Sequence, residues 1–231
     1  MRSEEERKLL REEQAKAFHR TTAQLLFLSQ QARPDMQTLV SFLTKRLRSP
    51  DEDDWKKLRR GLMYLKGTIN MKLNITVDSL STLRWYVDAL YGVHYDCKGH
   101  TGMMMTLGAG AAMSMSKAQK LNTGSSTESE LVGVHDCLPD MLWGKYFLEA
   151  QDHIIDHNIL LQDNKLTILL ATNGKMSSLR KTKHIRHRFF LIKDRVESGD
   201  VEIQYEPTGT MWCDILTKPQ QGLVFREFRG H

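Results

Sequence analysis

The chain has 231 residues, 40% of them hydrophobic and 26% charged, and a net charge of +5 at pH 7. This length predicts one main domain with a smaller attachment, and the modest positive charge is compatible with an anionic partner. The cysteines have no Cys-x-x-Cys spacing, which argues against a zinc or dithiol site and favours reduced thiols. The N-terminus is charged and no run of about eighteen apolar residues occurs, so we expect no membrane partner and an intracellular, cytoplasmic location, with the nucleus as an alternative.

The first third of the chain has helical sequence patterns. Residues 1–20 are charged at most positions and predict an exposed N-terminal helix or tail. In residues 21–78 the apolar residues recur at helical spacing, and Pro-Asp sequences within 33–35 and 49–51 mark helix starts. These residues predict a small helical unit without catalytic spacing, which ends in a short strand near 71–77.

The hydrophobic pattern then changes to the period of two that is typical of strands. Strands are predicted at 83–88, 102–107 and 111–116, with glycines between them, as in an antiparallel meander. Helices and strands then alternate: a helix at 127–150, a strand ending at Asp163, a helix to 172, a helix at 184–198, a strand at 201–205 and a helix at 210–217. This order predicts an α/β domain with a mixed sheet at 80–218 and a C-terminal tail at 219–231.

Acidic residues lie at the ends of several predicted elements. These are Asp88, Glu130, Asp163 and Asp214. Each also has an ordinary interpretation. Asp88 could be a solvated acid and Asp163 a helix N-cap. Glu130 could complete a Thr127-x-x-Glu130 capping box, and Asp214 could lie on an exposed face. If the four converge, their repulsion requires divalent cations, and Mg²⁺ binds a few carboxylates while keeping sites for phosphate and water.

Two glutamates near the start of the long helix compete for a place in such a site. An α-helix turns by about 100° per residue, so Glu130 lies within about 40° of the apolar residues of the helix, and Glu128 lies about 160° from Glu130. The apolar residues concerned are Val134, Cys137 and Met141. We therefore expect Glu130 to face the sheet and Glu128 to face solvent.

The segment between residues 175 and 195 is rich in Lys and Arg, with His and Phe interleaved. A solvated basic face and a nucleic-acid-binding face are equally compatible with this composition. Beside a hydrolytic site, phosphate contacts become the better explanation. The candidate binding residues are Lys175, Arg180, Lys181, Lys183, His184, Arg186 and Arg188.

Several short motifs follow one another in a characteristic order. They are Arg33-Pro34-Asp35, Tyr64-Leu65-Lys66-Gly67, Val87-Asp88-Ala89, Ser125 to Glu130, Gln162-Asp163-Asn164, Lys181 to Ile185, and Cys213 to Lys218. In this order they resemble the C-terminal end of copia-type LTR retrotransposon polyproteins. Residues 21–78 are similar to the end of a reverse transcriptase, its thumb or connection, and residues 80–218 to a ribonuclease H domain.

The resemblance implies a ribonuclease H-like α/β fold, with a mixed five-stranded sheet flanked by helices and preceded by a small helical unit. It also implies an endonuclease that hydrolyses the RNA strand of RNA–DNA hybrids with two Mg²⁺ ions, for which Mn²⁺ can substitute. The catalytic and metal-binding residues implied are Asp88, Glu130, Asp163 and Asp214. The implied partners are the hybrid and the remainder of a reverse transcriptase, without a small-molecule cofactor.

Alternatives remain at this stage. The chain has no Tyr-x-Asp-Asp motif, so we expect no DNA synthesis from it. A catalytically idle nucleic-acid-binding remnant of a retroelement polyprotein is the main competitor to the enzyme. The order Asp, Glu, Asp, Asp favours a ribonuclease H over a different nuclease or an integrase on the same fold.

Overall fold

The computed structural model describes residues 7–173 and 183–230. The chain divides into two compact units, an N-terminal unit Met1–Leu73 and a C-terminal unit Asn74–His231. Buried apolar clusters lie within each unit, so each has a core of its own. Over the described ranges, no helix is both long enough and apolar enough to cross a membrane.

The N-terminal unit is helical, as predicted. Its helices are α1 (Glu12–Gln31), α2 (Gln37–Thr44) and α3 (Glu52–Gly67). Their shared core contains Phe18, Leu25, Met36, Val40, Leu43 and Leu58. Asp51 caps α3 by accepting hydrogen bonds from the backbone N–H groups of Asp53 and Asp54, which explains why the helix begins there.

Residues 12–20, which were predicted as an exposed helix or tail, form the first half of α1 and are mostly exposed, although Phe18 is completely buried. One feature of this part of the chain differs from the prediction. The strand predicted near 71–77 is absent from this described segment. The N–H groups of Thr76 and Asp78 instead donate to the carbonyls of Ala109 and Leu107, which lie in the bend that follows β2.

The C-terminal unit is built on a five-stranded sheet in the order β3-β2-β1-β4-β5. The strands are β1 (Thr82–Leu90), β2 (His100–Thr106), β3 (Met113–Ala118), β4 (His157–Gln162) and β5 (Glu202–Tyr205). The first three are antiparallel neighbours, whereas β4 is parallel to β1 and β5 is parallel to β4. This mixed sheet confirms the predicted ribonuclease H-like α/β fold.

Helices and turns cover both faces of the sheet. The helices are α4 (Ser126–Glu149), α5 (Lys165–Asn173), α6 (Lys183–Glu197) and α7 (Gly222–Arg229). One core cluster joins Trp85 and Val87 of β1 to Leu131 and Val134 of α4. A second cluster joins Tyr86 and Met104 to the segment after β5, through residues that include Met211, Leu216 and Phe228. Alternate residues of β1 therefore serve different cores, as the period of a strand requires.

The C-terminal segment departs from the prediction in two places. The helix predicted at 210–217 is instead a pair of short 3₁₀ turns, Thr208–Thr210 and Trp212–Leu216. The predicted tail contains α7, whose Phe228 contacts Trp212 edge to face with ring centroids 5.5 Å apart. This helix is held by tertiary packing, which local periodicity does not reveal.

Candidate active site

Asp88 and Asp214 are brought together by a close contact between β2 and the turn Trp212–Leu216. Asp88 lies opposite Gly102 in the antiparallel pair of β1 and β2. A Cβ atom at Gly102 would lie 2.9 Å from Leu216 Cβ and 3.0 Å from the carbonyl oxygen of Cys213. The absence of a side chain at this position therefore allows the turn to pack directly on the sheet beside Asp88.

The described part of the chain contains a group of carboxylates suited to a metal ion. Asp88, Glu130 and Asp163 each offer an oxygen, and these oxygens all lie within 4.8 Å of one another. Asp88 and Glu130 are buried, whereas Asp163 is partly exposed. Asp214 is also buried and adjoins Asp88, but it lies outside this group. The structure thus brings three of the predicted acids together and places the fourth beside them.

Each of the four carboxylates accepts a hydrogen bond from another side chain of the same chain. Thr217 Oγ1 donates to Asp88, Gln162 Nε2 to Glu130 at 3.3 Å, Thr208 Oγ1 to Asp163 at 2.9 Å, and Lys218 Nζ to Asp214 at 2.7 Å. Lys218 Nζ also lies 3.5 Å from Asp88 Oδ2. None of these four donors was predicted from the sequence, although Thr217 and Lys218 stand three and four positions after Asp214 in the motif Cys213 to Lys218.

Gln162 connects two of the acids. Its Oε1 accepts hydrogen bonds from the backbone N–H groups of Asp163 and Asn164, at 2.8 and 3.1 Å, while its Nε2 donates to Glu130. Gln162 is fully buried, so this side chain has few alternative positions. It therefore fixes the end of β4 relative to Glu130.

The charge state of the site reflects this crowding. Burial raises the pKa of Glu130 well above its ordinary value, and the charges of Asp88 and Asp163 raise it further. Burial and the charge of Asp88 raise the pKa of Asp214 to about 7, although Lys218 opposes the change. Without a metal ion, the site consequently retains protons at a pH where exposed carboxyl groups are ionised.

The two glutamates at the start of α4 have separate roles. Ser125 is the N-cap of the helix, and its Oγ accepts a hydrogen bond from the N–H of Glu128 at 3.2 Å. The side chain of Glu128 in turn accepts from the N–H of Gly124 at 2.6 Å. The capping interpretation of Glu130 through Thr127 is therefore wrong, and Glu130 remains available to the carboxylate group.

The N-cap interpretation of Asp163 is also wrong. The side chain that caps α5 belongs to Asn164, whose Oδ1 accepts from the N–H groups of Leu166 and Thr167. Asp163 therefore has no capping function and bonds to Thr208 instead.

Only part of the basic segment lies within the described residues. Lys175, Arg180 and Lys181 lie outside the described residues, and Lys183, His184 and Arg186 belong to α6 without a described side-chain position. Arg188 Nη1 lies 3.9 Å from Asp136 Oδ1, at the wall of a cavity of about 230 Å³ that Lys117 and Lys120 also line. The predicted binding role of this segment stays a prediction.

Comparison with known proteins identifies retroelement relatives. No protein-family model matches the chain. The chain is 29% identical over 198 residues to the retrovirus-related Pol polyprotein from transposon RE2 of Arabidopsis thaliana, which covers 85% of this chain and 14% of the relative. Its identity to the corresponding polyprotein from transposon TNT 1-94 of Nicotiana tabacum is 29% over 187 residues, 80% of this chain and 14% of the relative. A transposon Ty5-1 protein of Saccharomyces cerevisiae is 35% identical over 117 residues, 50% of this chain and 38% of that protein.

All of these relatives are encoded by copia-type transposons, and two of them are Pol polyproteins. The resemblance to copia-type polyproteins that the sequence motifs predicted is therefore confirmed. The chain spans 14% of the length of the two polyproteins given first. Similar solved structures include a ribonuclease H1 isolated from compost, with 13% identity and a TM-score of 0.46, covering 59% of this chain and 93% of that one. They also include a foamy viral protease–reverse transcriptase in complex with an RNA/DNA hybrid, with 13% identity and a TM-score of 0.49, covering 90% of this chain and 26% of that one.

Proposed function

We propose that this chain is a ribonuclease H, which uses divalent cations to hydrolyse the RNA strand of RNA–DNA hybrids. The observation that carries the proposal is the group formed by Asp88, Glu130 and Asp163 at the C-terminal ends of β1 and β4, with Asp214 beside Asp88. The copia-type Pol polyproteins among the relatives support the same reaction class.

The donor set fits Mg²⁺. All of the candidate ligands are carboxylate oxygens, which are hard ligands, and their mutual repulsion favours a cation that neutralises them. We propose that Asp88 holds both of two ions, that Asp214 shares the ion on the water side, and that Glu130 and Asp163 share the other. When bound in such a site, Mg²⁺ lowers the pKa of the attacking water and stabilises the leaving oxygen.

The protein's own contribution is to hold these carboxylates in place. Gln162, Thr208 and Thr217 each donate to one acid, which limits the rotation of that carboxylate before substrate arrives. The buried position of Glu130 and Asp214 keeps them close to their neighbours in a medium where charges interact strongly. The site is therefore organised in advance for a cation and an anionic substrate.

We further propose that the basic segment binds the phosphates of the hybrid and supplies affinity rather than chemistry. Its Lys and Arg density without a comparable number of acids supports this assignment. Combined substitution of Lys181, Lys183 and Arg186 by Ala is expected to weaken hybrid binding. The slope of the logarithm of the hybrid-binding constant against the logarithm of the salt concentration should become less steep by as much as about 3. If fluorescence anisotropy titrations give an unchanged slope, these residues do not contact the phosphates of the hybrid.

The test of the reaction uses labelled RNA–DNA hybrid, double-stranded RNA and double-stranded DNA, each with Mg²⁺ and with a chelator. The parent protein is expected to cut only the RNA strand of the hybrid, and only with Mg²⁺. Asp88→Asn is expected to lower this rate on the order of 10²-fold or more while the protein still binds the hybrid. If the parent binds hybrid without cutting it under any of these conditions, the chain is the catalytically idle alternative.

A further inference from the structure

Lys218 extends from the protein surface to two buried carboxylates. Its Nζ lies 2.7 Å from Asp214 Oδ1 and 3.5 Å from Asp88 Oδ2. The Lys218 side chain is 33% exposed, whereas those of Asp88 and Asp214 are 3% and 6% exposed. The ammonium group therefore meets both acids at the boundary between solvent and the interior.

This contact differs from the other hydrogen bonds of the site because it carries charge. Thr217, Gln162 and Thr208 are neutral donors. In the described ranges, Lys218 is the only Lys or Arg in an ion pair with one of the four acids. Two adjacent carboxylates that are almost completely buried are costly when ionised unless a cation neutralises them. Lys218 supplies that positive charge from within the chain.

We propose that Lys218 is the resident counter-ion of the metal-free site and competes with the divalent cation for Asp214 and Asp88. The inference rests on the proposed function in one respect, since it takes these acids to be metal ligands. A cation bound to Asp88 lies close to the ammonium group and repels it, so binding requires the lysine to withdraw. The flexible stem of Lys218 and its partial exposure allow the ammonium group to move into solvent.

The competition has a definite consequence for the affinity of the site. While Asp214 is paired with Lys218, it adjoins Asp88 but does not belong to the group of oxygens from Asp88, Glu130 and Asp163 that all lie within 4.8 Å of one another. Metal binding that recruits Asp214 must break this pair. Lys218 therefore stabilises the metal-free fold and weakens the binding of the cation. The same acids can then be neutralised either by Lys218 or by the metal ion.

The test measures Mg²⁺ binding directly, by isothermal titration calorimetry of the full chain at low ionic strength. Lys218→Met keeps most of the aliphatic stem and removes the charge. It is expected to tighten Mg²⁺ binding roughly fivefold, which corresponds to about 1 kcal/mol for the lost ion pair. The melting temperature of the metal-free protein is expected to fall by about 2–4 °C, and Mg²⁺ is expected to recover most of that loss. Lys218→Arg, which keeps the charge, is expected to retain the parent affinity.

Lys145 provides a matched control. Its Nζ lies 3.2 Å from Asp200 Oδ1, and both of these side chains are largely buried. Lys145→Met also removes a lysine from a partly buried ion pair and is expected to lower the melting temperature, but it should leave the Mg²⁺ affinity unchanged. This control separates a change in metal binding from a general loss of stability.

The outcomes separate the inference from the proposed function. Unchanged or weaker Mg²⁺ binding by folded Lys218→Met overturns the inference, and hybrid cleavage by the parent in the same preparation leaves the proposed function intact. Tighter binding by Lys218→Met without cleavage by the parent supports the inference and contradicts the proposed activity. Absence of Mg²⁺ binding in the parent and in both Lys218 variants contradicts both. If Lys218→Met does not fold, Lys218→Gln gives the same comparison.

Discussion

Glu130 and Glu128 stand two positions apart and have different environments. Glu130 is 6% exposed and lies in the carboxylate group, whereas the side chain of Glu128 accepts the backbone N–H of Gly124. Glu130→Gln is therefore expected to reduce Mg²⁺-dependent hybrid cleavage on the order of 10²-fold or more. The melting temperature of the metal-free variant should be equal to or higher than that of the parent, because the substitution removes a charge that its neighbours repel.

Glu128→Gln is the matched control for this prediction. A Gln side chain can still accept the N–H of Gly124, so both stability and cleavage should remain close to those of the parent. Cleavage assays and thermal denaturation in chelator provide both measurements. Loss of cleavage in Glu128→Gln, or equal cleavage in the two variants, would show that the helical-face assignment of the second acid is wrong.

Asp214 makes the stability of the metal-free protein depend on pH. Its pKa of about 7 in the folded protein exceeds the ordinary value of 3.8, so the folded state binds a proton that the unfolded state has already released. Stability is therefore expected to fall as the pH rises from about 4 to about 7. Asp214→Asn removes this contribution, so it should stabilise the metal-free protein more at about pH 8 than at about pH 5.

Urea denaturation in the presence of a chelator at these two pH values measures whether the free energy of unfolding falls as the pH rises. The raised pKa of Glu130 acts in the same direction and remains in the variant, so the pH dependence of Asp214→Asn should be reduced rather than abolished. The raised pKa of Asp214 would be contradicted if the parent became more stable as the pH rises and the stability of Asp214→Asn changed with pH to the same extent.

The turn Trp212–Leu216 depends on Gly102 of β2. A Cβ atom there would lie 2.7 Å from Thr217 Cγ2 as well as close to Leu216 and the backbone of Cys213. Gly102→Ala is therefore expected to destabilise the protein by about 1–3 kcal/mol and to displace the turn that carries Asp214. Lower Mg²⁺ affinity should accompany the loss of stability. Calorimetric titration and urea denaturation of the variant measure the two effects.

Gly209 is the control for that substitution. Nothing lies within 4 Å of a Cβ atom built there, and its φ angle is not in the left-handed region. Gly209→Ala should therefore leave both the stability and the Mg²⁺ affinity close to the parent values. Similar losses in the two variants would mean that the contact at Gly102 does not position Asp214.

Sequence periodicity predicted most elements of the fold, and it failed where tertiary contacts decide the structure. The helical-face argument distinguished Glu130 from Glu128 because both residues lie on one regular helix. The close approach at Gly102 and the hydrogen bond from Thr208 to Asp163 depend on segments that are distant in sequence, so no local pattern contains them. The short α7 was missed for the same reason, since it is held by contacts such as that of Phe228 with Trp212.

At the scale of the whole molecule, the candidate site belongs to one of the two units. All four acids and their four side-chain donors lie within Asn74–His231. That unit also contains the complete five-stranded sheet and buried clusters on both of its faces. Its length is that of an ordinary single domain, which can bury enough apolar surface to fold independently.

A fragment consisting of residues 74–231 is therefore expected to fold cooperatively, to bind Mg²⁺ with the affinity of the full chain and to cleave the RNA strand of a hybrid. Circular dichroism during urea denaturation, calorimetric titration and the hybrid assay give the three measurements, and Asp88→Asn in the same fragment is the inactive control. Equal Mg²⁺ affinity with much weaker hybrid binding would assign part of the substrate contact to Met1–Leu73. Weaker Mg²⁺ binding by a well-folded fragment would contradict the prediction, because the metal ligands and their donors would then require the N-terminal unit.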